Sequence, residues 1–162
     1  LGYRGLGVIT AFVFIGPVMI CGAYFVQALS FSWSSLAAAI PVALLTAGVL
    51  YTNDIRDLDT DVLHGKKTLA TMTGRSAASY TLSGMDIVAF AIVIAAVATR
   101  LLPWPVLLVL VAVPQAIAQL RMVFREKEPE KLHDAWLRGI KLHGQFGVFM
   151  IVGLLLSAAL HY

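Results

Sequence analysis

The residues with most chemistry fall in one stretch, Asn53-Asp-Ile-Arg-Asp-Leu-Asp-Thr-Asp61, which runs on through His64 into Gly65-Lys-Lys-Thr-Leu-Ala70. Four aspartates, Asp54, Asp57, Asp59 and Asp61, lie within eight residues. On a helix, Asn53, Asp57 and Asp61 recur every four residues. Each step of four turns about 400°, so the three spread over roughly 80° of one face. Asp54 joins that face, and Asp59 is rotated roughly 200° from Asp57. Carboxylates stacked in this way repel by roughly 0.2–0.5 kcal/mol per pair. A cation removes that penalty. Hard oxygen donors select Mg²⁺ or Ca²⁺, and Mg²⁺ takes one or two carboxylates and fills its shell with water and substrate phosphates. Gly65-Lys66-Lys67-Thr68 adds a flexible turn and positive charge. Carboxylates, a metal and neighbouring lysines together describe a diphosphate site.

The bland alternative is a solvated charged loop. Two familiar motifs are excluded. No GxxxxGK[ST] is present, so Gly65-Lys66-Lys67 only superficially echoes a P-loop. No glycine or terminal glutamate sits at the offsets of a calcium-binding EF-hand loop.

The elements that must position these residues are membrane helices. Of 162 residues, 59% are apolar and only 13% charged, against about 25% charged in a soluble domain. This excludes a soluble globular enzyme, a disordered tail and a nucleic-acid-binding domain. The reading is an all-α, polytopic membrane bundle forming one domain over residues 1–162. A span needs about 20 apolar residues. The expected spans are 6–27, 36–51, 80–99, 104–120 and 142–160, with polar segments over 53–78 and 121–141 between them. Trp33 falls where an interfacial aromatic anchor belongs. Prolines 17, 41 and 114 lie within apolar runs and are read as shaping helix packing.

Charge orients the bundle. Of the twelve lysines and arginines, only Arg100 falls on one side of this alternation; the others, Arg4 included, fall on the other. The positive-inside rule therefore expects a multi-pass protein of the cytoplasmic (inner) membrane, with the N-terminus and aspartate segment cytoplasmic and the C-terminus outside. Cys21, the single cysteine, cannot form an internal disulfide and is read as packing. No cleavable signal peptide is read at the N-terminus.

Asn53 to Asp61 followed by Gly65-Lys-Lys-Thr-Leu-Ala70 resembles the second aspartate-rich motif of the UbiA-type intramembrane prenyltransferases. The branch most similar is 1,4-dihydroxy-2-naphthoate polyprenyltransferase of menaquinone synthesis, which reads Asn-Asn-Ile-Arg-Asp-x-x-x-Asp and then Gly-Lys-x-Thr-Leu-Ala; here Asp54 replaces the second asparagine. Gly16-Pro17 through Gln27, and Leu142-His143 with Phe146-Gly147, resemble the helix before the motif and the start of the last helix. The resemblance implies Mg²⁺-dependent transfer of a polyprenyl group from its diphosphate to an aromatic acceptor, by ionisation to an allylic cation. It implies Asp57 and Asp61 as the metal-binding, catalytic pair and Asn53 as a further ligand or orienter. Lys66, Lys67 and, more weakly, Arg56 become diphosphate contacts. Asp54, His64 and Arg121 are further candidates. Such enzymes have about nine helices and two aspartate motifs. The first motif is absent here, so the resemblance implies the last five helices, a C-terminal half completed by an N-terminal half or a larger membrane complex.

Other residues carry weaker cases. A membrane carboxylate such as Asp86 is costly and often functional, but its place near the motif end of a span would let it reach interfacial water. His143 is expected at the interface, and His64 in a solvated loop. Tyr24, Phe25, Phe146 and Phe149 could line a prenyl tunnel or simply pack. The reading opposed to an enzyme is a non-catalytic membrane scaffold that kept half the fold.

Overall fold

The computed structural model describes residues 5–160, so Arg4 lies outside the described residues. The chain forms α1 (Gly7–Ala28), α2 (Trp33–Arg56), α3 (Leu58–Leu63), α4 (Leu69–Thr73), α5 (Arg75–Ala98), α6 (Trp104–Arg125) and α7 (Pro129–Ala159). Five of these, α1, α2, α5, α6 and α7, are long and apolar enough to cross a membrane. The protein is a polytopic all-α bundle.

Small residues decide which helices touch. Lipid is as apolar as a leucine side chain, so membrane helices gain by close packing rather than by leaving water. Helix α2 is central and buries Ala39, Ala43, Ala47 and Gly48. Against it lies α1, in which Pro17, lacking an N–H, sits inside a π-helical turn over Phe14–Val18. That turn brings Gly16 onto Ala43 so closely that a Cβ at 16 would stand 2.1 Å from the Ala43 Cβ. Helices α5 and α7 flank α2, and α6 packs on α7. One core cluster joins Leu45, Val93, Val106, Phe146 and Met150; a second, toward the aspartate end, joins Tyr51, Ile55, Leu82 and Val123.

Helix ends follow local chemistry. Ser32 caps α2, its Oγ accepting from the Ser35 amide at 3.4 Å. Exposed Trp33 packs edge-on against Phe31 there. Pro41 is buried within α2, and Pro114 sits at the start of the α-helical half of α6, after a 3-10 stretch over Trp104–Ala112.

The helices run past the expected spans: α2 ends at Arg56, α5 begins at Arg75 and α6 ends at Arg125. The polar segments 53–78 and 121–141 are mostly helical. Helix α7 begins at Pro129 rather than 142, and runs 31 residues, about 46 Å against a hydrocarbon thickness of about 30 Å. Its first turns are amphipathic: Leu132, Ala135 and Gly139 are buried while Lys131, Asp134 and Arg138 face out. Charge density hides such a helix from a hydropathy reading. The added turns of α7 meet the end of α2, where His133 and Trp136 contact Arg56.

Candidate functional site

The aspartate segment sits where α2 stops. Asp57 leaves the helical region (φ −88°, ψ 5°) and both ends α2 and starts α3. The ladder nevertheless continues across it: the Asp57 amide donates to the Asn53 carbonyl at 3.0 Å, and the Asp61 amide to the Asp57 carbonyl at 2.8 Å. This keeps the four-residue register. Asn53 Nδ2 donates to Asp57 Oδ2 at 3.2 Å. Asp59 turns away, as its register requires, and pairs with Arg75 at 2.9 Å.

Lys66 closes the cluster. Gly65, in the left-handed region at φ +65°, reverses the chain, and the Lys66 amide returns to the Asp61 carbonyl at 2.9 Å. The Lys66 ammonium then donates to Asp61 Oδ2 at 2.9 Å. That hydrogen bond, and after it the charges of Asp61, Asp54 and Asp57, hold the ammonium above the ordinary lysine range against the opposing effect of burial. Asn53, Asp54, Asp57, Asp61 and Lys66 thus share one site. Asp61 is its most buried carboxylate, 12% exposed. Beyond it, Thr68 and Thr71 cap α4 reciprocally (3.1 and 2.9 Å), a capping box in which threonine stands where glutamate or glutamine is usual.

Arg56 does not project into open space. Its Nε and Nη2 grip both oxygens of Asp57 at 2.7 and 2.8 Å. Its Nη1 donates to His133 Nδ1 at 3.2 Å, and the guanidinium lies 5.6 Å from the Trp136 ring centre. His133 and Trp136 belong to the early turns of α7 and were not singled out from the sequence; the signal was an amphipathic pattern among charges. Lys67 is exposed and its carbonyl accepts from the Gly5 amide at 2.8 Å. His64 is exposed and bonded to the Thr60 carbonyl at 2.7 Å. Arg121 is exposed on α6, and no hydrogen bond or ion pair among the described residues joins it to the cluster.

The donor set fits a hard divalent cation in part. It offers carboxylate and amide oxygens, but among the described residues no three histidine, cysteine, aspartate or glutamate side chains are grouped closely enough to hold a metal by themselves. Further ligands would have to come from phosphate, water or another chain segment.

Below the cluster the bundle is polar in places. Thr52 Oγ1 accepts from Gln119 Nε2 at 3.0 Å, and both are buried. Asp86 is only 3% exposed, and its Oδ2 has no partner among the described residues. This corrects the expectation that Asp86 reaches interfacial water: it faces Gly48 of α2, where the missing side chain leaves room. His143 is half-buried at the start of the apolar run of α7. It lies one residue short of the midpoint of the 31-residue α7 and contacts Thr46 of α2 at 3.0 Å. Phe146 is packed in the core against Phe90 (5.4 Å), Phe149 is half-buried, and Tyr24 and Phe25 are exposed on α1. Cys21 is half-buried, 3.7 Å from Ser35 Oγ.

Comparison with known proteins gives a consistent result. Residues 1–144 match the UbiA prenyltransferase family. A 2-carboxy-1,4-naphthoquinone phytyltransferase of Synechocystis sp. is 29% identical over 94% of this chain and 50% of its own length. A 1,4-dihydroxy-2-naphthoate octaprenyltransferase of Mycobacterium tuberculosis is 38% identical over 72% of this chain and 39% of its own. A UbiA prenyltransferase domain-containing protein 1 homolog of Drosophila melanogaster is 32% identical over 93% of this chain and 40% of its own. The chain spans about half the length of the curated relatives it matches. No solved structure matches it.

Proposed function

Because the chain belongs to the UbiA prenyltransferase family, we propose that it supplies the second aspartate wall of an enzyme transferring a polyprenyl group from its diphosphate to an aromatic acceptor, 1,4-dihydroxy-2-naphthoate, in menaquinone synthesis. The observation that carries this is the convergence of Asp54, Asp57 and Asp61 on Lys66 at the end of a membrane helix. Asp57 and Asp61, with Asn53, would hold Mg²⁺, which when bound offsets the charge of the departing diphosphate.

The chain's own residues have distinct tasks in this reading. Arg56 and Asn53 orient the Asp57 carboxylate through three donors, leaving about one of its roughly four lone-pair sites, on Oδ1, for a further ligand. Lys66 neutralises Asp61 until an anion and its metal enter, and can then swing to the diphosphate. Lys67, exposed beside it, adds a second cation. The opposite wall, with its own carboxylates, comes from an N-terminal half. Without that half the cavity is open on one side and water reaches the allylic cation. The motif end faces the cytoplasm, on the grounds of the basic excess at that end.

The test is prenyl transfer by this chain alone and by the chain co-expressed with an N-terminal half, with Mg²⁺ or with chelator. The account expects product only from the assembled, Mg²⁺-supplied protein. Robust transfer by the lone chain, or transfer unaffected by chelation, contradicts it; no transfer from any assembled form favours the scaffold reading. For orientation, cysteines at 66 and 99 should label from opposite sides of the membrane, and labelling from the same side refutes the topology.

A further inference from the structure

The stripe of α2 that carries the aspartate motif continues into the membrane. Residues 46, 50, 53 and 57 stand at steps of four, three and four, which places Thr46, Leu50, Asn53 and Asp57 on one line of the helix. This line is the least covered part of α2: Leu50 is exposed and Thr46, Asn53 and Asp57 are half-buried, whereas the other sides bury Ala43 and Ala47, Gly48 and Thr52. Seven residues separate Thr46 from Asn53, about 10 Å along the axis. At Thr46 the line meets His143 of α7.

The hydrogen bonds there determine how the imidazole is used. Thr46 Oγ1 lies 2.9 Å from the Val42 carbonyl and 3.0 Å from His143 Nε2. A hydroxyl has one hydrogen. Two oxygens at 2.9 Å without a hydrogen between them repel, so the hydroxyl donates to Val42. His143 Nε2 must then carry the hydrogen and donate to Thr46. Nδ1 is left as a bare acceptor. No described residue donates to it, and it is not among the fully buried polar atoms without partners, so it keeps at least partial access from outside the described bundle. A polar side chain held in one tautomer inside a membrane segment, with an acceptor left over, calls for a donor.

We propose that His143 is the binding residue for the aromatic co-substrate: Nδ1 accepts a ring hydroxyl and orients the acceptor ring beneath the diphosphate. This rests on the prenyltransferase reading above and adds the second substrate to it. Thr46 is the positioning residue, because it selects the tautomer. An aromatic diol satisfies the site, having an apolar body for the Leu50 side of the stripe and a hydroxyl for Nδ1. An acceptor whose hydroxyl is methylated does not.

The experiment uses the assembled protein in nanodiscs, with 1,4-dihydroxy-2-naphthoate and its two monomethyl ethers as acceptors. In the unsubstituted protein one ether should be used at least about tenfold less well than the diol, in kcat/KM, through loss of one hydrogen bond. His143→Leu should raise the KM for the diol about tenfold, leave the KM for the prenyl diphosphate unchanged, and abolish the discrimination between diol and ether. His143→Gln, which keeps an acceptor, should restore part of the discrimination, and Thr46→Val should weaken it. Equilibrium binding of the diol, without turnover, should follow the same order. Discrimination that survives His143→Leu, or equal KM changes for both substrates, overturns the assignment while leaving the prenyltransferase reading intact. No transfer to any acceptor by the unsubstituted assembled protein overturns that reading, and this assignment with it.

Discussion

Replacing Lys66 with methionine tests how the aspartate cluster is held together. The Lys66–Asp61 pair is 2.9 Å long, with the two side chains 27% and 12% exposed. Unit charges about 4 Å apart attract by about 4 kcal/mol at an effective dielectric near 20. Desolvation and side-chain ordering cancel much of this: exposed pairs contribute about 0–1 kcal/mol, whereas stripping one partner from a buried pair costs about 3–5. This pair lies between, with like charges at Asp54 and Asp57 adding to the repulsion that Asp61 would feel. Lys66→Met should therefore destabilise by about 1–2 kcal/mol, a fall in Tm of about 2–8 °C at this chain length. Thermal unfolding in detergent measures it. The compensating Lys66→Met/Asp61→Leu variant should recover most of the loss, because neither charge is left unpaired. The pH dependence has a definite sign. The folded-state value of Lys66 is raised above 10.5, so its stabilisation is complete below the unfolded lysine value and fades as pH rises through the folded one. The gap between wild type and Lys66→Met should close in strongly alkaline buffer. Equal Tm values at pH 7.5, or a double variant no better than the single, would refute the reasoning.

Two further outcomes follow from packing. Gly16→Val must push α1 off Ala43 by more than 1 Å, an overpacking cost of about 1–3 kcal/mol; with Ser35→Cys placed against Cys21, oxidative cross-linking should form readily in the Gly16 protein and drop in Gly16→Val, and equal cross-linking in both would refute the close approach. Trp136→Leu removes the ring beneath Arg56 and should cost about 0.5–1 kcal/mol beyond its lost packing; a double-mutant cycle with Arg56→Met that shows no coupling would refute the contact.

Five membrane helices were legible because each carries an uninterrupted apolar run, and the face-sharing of Asn53, Asp57 and Asp61 was legible because the backbone ladder continues through the break at Asp57. Asp59 turned away for the same periodic reason. The rest needed three dimensions. Nothing in the local pattern shows that Arg56 bends onto its own neighbour, since adjacent helical residues do not face each other; it does so because the helix ends there and because His133 and Trp136, 77 or more residues on, hold its other edge. The long α7 was hidden by its charges. Counting from a span end places Asp86 near water, whereas packing against Gly48 of α2 buries it.

The central claim is that Asp57 and Asp61 form the metal-holding wall of a prenyl-transfer site, and Asp59 does not. The most direct measurement is the rate of prenyl transfer by the assembled protein with Asp57→Asn, Asp61→Asn and Asp59→Asn, at saturating Mg²⁺. Each of the first two removes a charge from the site and should lower kcat by about a hundredfold or more, on the scale of about 3 kcal/mol of transition-state stabilisation. Asp59→Asn loses only an exposed pair with Arg75 and should stay within about threefold of wild type. Equal losses at Asp59 and Asp61, or full activity in Asp57→Asn, would contradict the account.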